Sequence, residues 1–293
     1  MQRWTLNAAW MLPGLLACVS TDLEPATKVL SCVAGAAPTV TPESIVAVTV
    51  AYESSYVICS GVTVAPTLVL TTASCLLEPL GGHAAPDYAQ LCDSASGWAP
   101  FETGSFSARN GNPYDLDQIS ITTAALDEIG VRDVKTVATS RCADDLAVVV
   151  LERPISTPNA FLRLNEDSHG GDPVILSALD FQDEQFVFNR TDSTVIQLTF
   201  DSGDSLAPPR SLLLANQVCY FSRGGAVFSA ESGALVGMIA WGSGECDAPE
   251  GTTTAVRLSP FRRFIVQSAE DVGETLKVER NTLSKELAPC ASE

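Results

Sequence analysis

β-branched and small apolar residues alternate in part along residues 45–52, Ile-Val-Ala-Val-Thr-Val-Ala-Tyr, a pattern that predicts a strand. The run Val-Ile-Cys-Ser-Gly-Val-Thr-Val over 57–64 predicts a second strand, and Leu-Val-Leu-Thr-Thr over 68–72 a third. Ala65-Pro66-Thr67 supplies the turn between these two. Residues 78–115 mix Gly, Pro and Asp with weak periodicity, which predicts surface loops with short strands. Further strands are predicted over 115–123 and 133–138, and an apolar run within 144–154 ends on Pro154. Later, Arg223-Gly224-Gly225 reads as a tight turn between two strands, ahead of the apolar run 235–242. Ser259-Pro260 offers a helix cap and a first-turn proline, and Phe261, Phe264, Ile265 and Ser268 give a short amphipathic helix after them. The pattern is all-β. At 293 residues it does not force two domains, because one all-β unit can run to roughly 200–250 residues. No repeats or low-complexity segments interrupt it.

The N-terminus carries an address. Arg3 precedes an apolar stretch over 8–17, too short for a spanning helix, which needs about 20 apolar residues. This predicts a secretory signal over 1–17. Leu15-Leu16-Ala17-Cys18 is similar to the bacterial lipobox, which implies lipidation of Cys18. Residues 18–43 read as a tether, and 269–293 as a charged tail. Nine cysteines in an exported chain predict disulfides, and setting Cys18 aside leaves an even set. Cys59 and Cys75 close two strands and a turn. Cys290 is expected to pair back onto the body, with Cys32 as the candidate partner. Cys92 and Cys142 complete the set, with Cys219 and Cys246, which bracket the Arg223 turn. The balance of 17 Lys and Arg against 35 Asp and Glu gives a net charge of -18. Such a surface argues against nucleic acid and anionic membrane, and leaves a lipid on Cys18 as the membrane contact. No metal or cofactor is expected: there is no Cys-x-x-Cys or His-x-x-x-His, and Asp115 with Asp117 is only a slight calcium hint.

Three motifs resemble those of the chymotrypsin/trypsin family of serine proteases. Cys219-Tyr-Phe-Ser-Arg-Gly-Gly-Ala226 resembles the nucleophile loop Cys-x-Gly-Asp-Ser-Gly-Gly-Pro, with Arg223 where the family has its serine. Cys59 through Cys75 resembles Cys-Gly-Gly-Thr-Leu-Ile followed by Val-Leu-Thr-Ala-Ala-His-Cys, with Ser74 where the family has its histidine. Asp144-Asp145-Leu-Ala-Val-Val-Val-Leu-Glu-Arg-Pro154 resembles Asn-Asp-Ile-Ala-Leu-Leu-x-Leu-x-x-Pro, which puts Asp145 at the triad aspartate. The resemblance covers roughly residues 44–268 and implies two antiparallel six-stranded β-barrels with a short C-terminal helix. It makes 155–170 the connection between barrels and 171–178 the first strand of the second. Residues 186–188 and 194–200 continue that barrel, and 251–258 is its last strand.

Peptide hydrolysis on this architecture needs a hydroxyl nucleophile, an imidazole base, an orienting carboxylate and two N–H groups at the oxyanion. Arg223 cannot attack, because a guanidinium stays protonated and offers no lone pair. Ser74 cannot act as the base near neutral pH. The oxyanion glycine is replaced by Phe221, and the aspartate before the nucleophile by Ser222. No Ile-Val-Gly-Gly activation sequence precedes residue 45. Losing the nucleophile or base alone costs roughly 10⁶-fold in kcat, so the resemblance implies no catalytic residues. Asp145 is then expected to accept from backbone N–H groups and Ser74. Arg223 is either a surface residue or an ion partner of Asp145. The specificity pocket implied by the resemblance is lined by Gln217, Val218, Ala240, Trp241, Gly242 and Gly251; Gln217 at its floor is neutral and implies no preference for basic residues. The alternative is an active endopeptidase in which a one-residue slip makes Ser222 the nucleophile. It would need a base from His83 or His169, which the sequence places in loops. The expected activity is binding of a protein or peptide. Nothing in the sequence favours an inhibitor that offers a loop to a protease.

Overall fold

The computed structural model describes residues 30–33, 42–52, 55–76, 116–137, 144–182, 185–199, 208–216, 218, 222–242 and 251–279. Two closed barrels of six antiparallel strands form the body. The first takes β2 (Ile45–Tyr52), β3 (Ser55–Ala65), β4 (Leu68–Thr71), β5 (Ile119–Thr122), β6 (Glu128–Thr136) and β7 (Ala147–Leu151), in the spatial order β2-β3-β4-β7-β6-β5. The second takes β8 (Pro173–Gln182), β9 (Gln185–Leu198), β10 (Ser211–Ala215), β11 (Ala226–Ser229), β12 (Leu235–Gly242) and β13 (Thr252–Arg257), in the order β10-β13-β12-β11-β8-β9. A one-turn helix, α1 (Ala73–Leu76), follows β4, and α2 (Arg262–Glu270) follows the second barrel.

Both faces of several strands are buried, which is why their sequences read as apolar runs. Along β2, Val46, Val48 and Val50 fill the first barrel, while Ile45 and Ala47 face the seam between barrels. Along β7, Val149 points into the barrel and Val148 and Val150 into the seam. From the second barrel, Ala226, Phe228, Leu235 and Met238 meet them there. Burying an aliphatic side chain contributes about 1.5–3 kcal/mol, so this shared core fixes one barrel against the other.

Several elements differ from the expectations. The runs 186–188 and 194–200 belong to one strand, β9, because Asn189–Ser193 keep pairing with β8 while their polar side chains lie mostly outside the core. Residues 116–118 form a 3₁₀ turn ahead of β5 rather than strand. Ser259 is not a side-chain cap: Ser259–Phe261 is a 3₁₀ turn, and the Ser259 hydroxyl donates to Asp167, which also binds the Arg257 guanidinium.

The tether expected over 18–43 and the tail expected over 269–293 both contain strand. Leu30–Val33 form β1 and Leu276–Glu279 form β14, paired in parallel. β14 lies on the interbarrel connection: the Leu162 N–H donates to Lys277 O at 2.9 Å, and the Glu279 N–H to Leu162 O at 2.8 Å. Leu276 and Val278 are buried in the seam core. The Arg163 guanidinium holds Glu279 through Nε at 2.5 Å, and Glu274 accepts from the Thr67 amide at 3.0 Å at the β3–β4 turn. Residues 274–279 are thus a strap across the two barrels. No helix among the described residues is long and apolar enough to cross a membrane.

Candidate functional site

The three motifs meet where the barrels face each other. Cys59 on β3 and Cys75 on α1 form a disulfide, which fixes α1 against the first barrel. Asp145, just ahead of β7, is fully buried, and Ser74 on α1 is 1 % exposed. The Ser74 amide donates to Asp145 Oδ1 at 2.6 Å, and its hydroxyl donates to Oδ2 at 2.8 Å. Each carboxylate oxygen therefore accepts from the same residue. The carboxylate is thus engaged at both oxygens by a residue whose hydroxyl does not titrate near neutral pH.

Across the seam, the loop 222–225 is enclosed. Arg223 is 3 % exposed, so of its two expected placements the surface one is excluded. Its carbonyl accepts from the Ser60 N–H at 2.8 Å. Gly224 follows at φ +75°, in the left-handed region, and its N–H donates to Ile239 O at 2.8 Å. A Cβ there would stand 2.1 Å from the Ser60 carbonyl oxygen and 2.4 Å from Thr71 Oγ1, both in the first barrel. A Cβ on Gly225 would stand 2.7 Å from Ser177 O on β8 of the second barrel. The glycine pair is therefore required by close approach on two sides, whatever residue precedes it. Ser60 adds a second bridge: its hydroxyl donates to Leu179 O at 3.2 Å and accepts from the Leu179 N–H at 2.9 Å.

Asp144, beside Asp145 in sequence, turns elsewhere. It pairs with Arg210, whose backbone sits at φ +57° ahead of β10 and whose guanidinium lies 5.7 Å from the Phe261 ring centroid. This pair links the first barrel to the second. Nothing local in the sequence marks this pair.

Ser222 is 3 % exposed. His169 stands in solvent, its side chain 72 % exposed, with Nδ1 3.7 Å from Asp172 Oδ2 and no serine oxygen bonded to it among the described residues. His83 lies outside the described residues, as do Phe221, Gln217, Cys18, Cys92, Cys142, Cys219, Cys246, Cys290 and Asp115. Cys32 lies in β1. Of the expected pocket, Ala240 is fully buried and Val218 is 9 % exposed, its N–H donating to Thr253 Oγ1 at 3.1 Å. Trp241 and Gly242 pair with Thr254 and Thr253 of β13, and Gly251 is half-buried at the start of that strand. Asp117 is exposed in its 3₁₀ turn.

No protein-family model matches the sequence, and no curated protein matches it significantly. Similarity is found among solved structures. One is a scabies mite inactivated protease paralogue, with a TM-score of 0.55 and 14% identity over 82% of this chain and 100% of that one. Another is kallikrein-related peptidase 10 in complex with Zn2+, with a TM-score of 0.52 and 14% identity over 82% of this chain and 100% of that one. The protein therefore has the trypsin-like serine protease fold, two six-stranded barrels with a short helix near the C-terminus.

Proposed function

We propose that this protein is a non-catalytic relative of trypsin-like proteases that acts by binding a partner protein or peptide. One observation carries the reading: Ser74 engages both oxygens of Asp145, at 2.6 and 2.8 Å, where a protease would hold an imidazole. The enclosed Arg223 at the nucleophile position supports it, since a guanidinium can neither attack a carbonyl nor relay a proton. The similar scabies mite structure is of an inactivated protease paralogue, so this fold does carry such proteins. Loops on rigid barrels remain a binding platform after the chemistry is gone. The excess of acidic side chains makes a basic partner surface the better match for the molecule as a whole. In the same proposal the chain is exported, as a secreted protein or one held at a membrane by lipid on Cys18.

Incubation with a mixed library of proteome-derived peptides, read by mass spectrometry for new termini, tests the proposal. No cleavage above a buffer control is expected over a day. Cleavage that disappears in Ser222→Ala would establish the active endopeptidase instead.

A further inference from the structure

A groove of about 630 Å³ runs between the end of β6 and α2, and none of Ser74, Asp145 and Arg223 lines it. Its volume lies within the roughly 300–1,000 Å³ of ligand pockets. Arg263, Phe264 and Gln267 line it at helical spacing on α2, and Asp271 lines it from the residue after the helix. Lys135 and Val137 line it from the first barrel, and Phe261 from the turn before α2.

In charge the described lining of the groove departs from the average of the chain. The whole sequence has 17 Lys and Arg against 35 Asp and Glu. Among the described residues its lining has three cations, Lys135, Arg210 and Arg263, against two carboxylates, Asp144 and Asp271. Both carboxylates are matched from within: Lys135 donates to Asp271, and Arg210 pairs with Asp144. Arg263 is the surplus cation, exposed and in no ion pair among the described residues. Beside it, Phe264 is only half-buried.

We propose that this groove is a second binding site, separate from the cleft, for a peptide segment of a partner protein that carries a carboxylate next to an aromatic or large aliphatic side chain. The carboxylate meets Arg263 and forms the bidentate pair that a guanidinium favours. The apolar side chain lies against Phe264 and Val137, where a ring can stack edge-to-face. A basic segment is disfavoured, because it adds a cation where one is already in excess. A dense polyanion is disfavoured as well, since the chain as a whole carries a net charge of -18 and repels it. The net acidity of the chain alone points to basic partners; this groove reverses that preference locally.

Selection of a displayed library of random twelve-residue peptides on the full chain is the test. The proposal expects enriched sequences that place Asp or Glu beside Phe, Tyr, Trp or Leu. It expects the affinity of a selected peptide, measured by fluorescence polarisation, to fall at least about tenfold in Arg263→Glu, a loss of about 1.4 kcal/mol. Replacing the peptide's Asp by Asn should cost a similar factor in the wild-type protein. Arg263 is exposed, so Arg263→Glu is expected to keep the wild-type melting curve, and Arg263→Gln gives a milder check with an intermediate affinity. An absence of enriched peptides, enrichment of basic ones, or binding indifferent to Arg263→Glu would overturn the proposal. None of these outcomes bears on the cleft, which is read by peptide cleavage.

Discussion

In the first cysteine-bracketed motif Ser74 closes on Asp145 through its amide and its hydroxyl; in the second, Gly224 and Gly225 fill a space that no side chain could share. In the proposed reading both motifs lack the reactive group that hydrolysis demands, yet what holds each in place differs. At Ser74 the restraint is polar. A buried carboxylate needs donors, and the serine supplies two of them. At the glycine pair the restraint is steric. Ser60 and Thr71 press from one barrel and Ser177 from the other. The glycine pair can therefore be kept for packing reasons alone, because the loop is also the wedge that joins the barrels.

The comparison sets an order of effects. Gly224→Ala is expected to be the most damaging. Overpacking costs about 1–3 kcal/mol and a left-handed non-glycine residue about 1–2 kcal/mol, for a total of about 2–5 kcal/mol. The clash is with backbone oxygen, so side-chain movement cannot relieve it. Urea denaturation checks this; a loss below about 1 kcal/mol would show that the two barrels can part at this loop. Ser74→Ala removes the hydroxyl bond to a charged acceptor but leaves the amide bond. It is expected to cost about 1–3 kcal/mol by the same measurement, less than Gly224→Ala. A reversed order would place the main restraint at the polar corner.

The smallest effect lies on the surface, outside both motifs. The hydrogen bond from Arg153 holds the Asp127 carboxyl below its usual value, and those from Lys135 and then Gln267 do the same for Asp271. A carboxyl whose folded pKa is depressed stabilises the fold above its unfolded pKa, and that contribution is lost as pH falls through the folded value. The melting temperature should therefore rise with pH across the acid side of the carboxylate range. Asp127→Asn should flatten that rise slightly, an effect that melting curves between about pH 2 and 5 would resolve. A rise left unchanged in the variant would mean that the Arg153 pair adds nothing.

Much of the fold was legible because the motifs are local. Cys59 to Cys75 spans one strand-turn-strand unit, and its disulfide forms as the cysteine spacing implied. The strands that escaped notice lacked a clear signal of that kind. β10 offers only Leu212, Leu213 and Leu214, buried together, so it shows no alternation. β14 does alternate, with Leu276 and Val278 buried and Lys277 exposed, but it sits in a charged tail whose composition resembles a solvated end. The site was legible in part. Bonding of Ser74 to Asp145 follows from what a buried carboxylate requires. The burial of Arg223 does not, because a cation in a sequence defaults to the surface. The Asp144–Arg210 pair joins residues 66 apart in the chain, and no spacing rule reaches that far.

Labelling of the full-length protein with a fluorophosphonate, a reagent that captures any activated serine hydroxyl, tests the central claim most directly. With Asp145 engaged by Ser74 and, in the proposed reading, Arg223 in the nucleophile's place, the account predicts no labelling above a heat-denatured control. Stoichiometric labelling that vanishes in Ser222→Ala would contradict it.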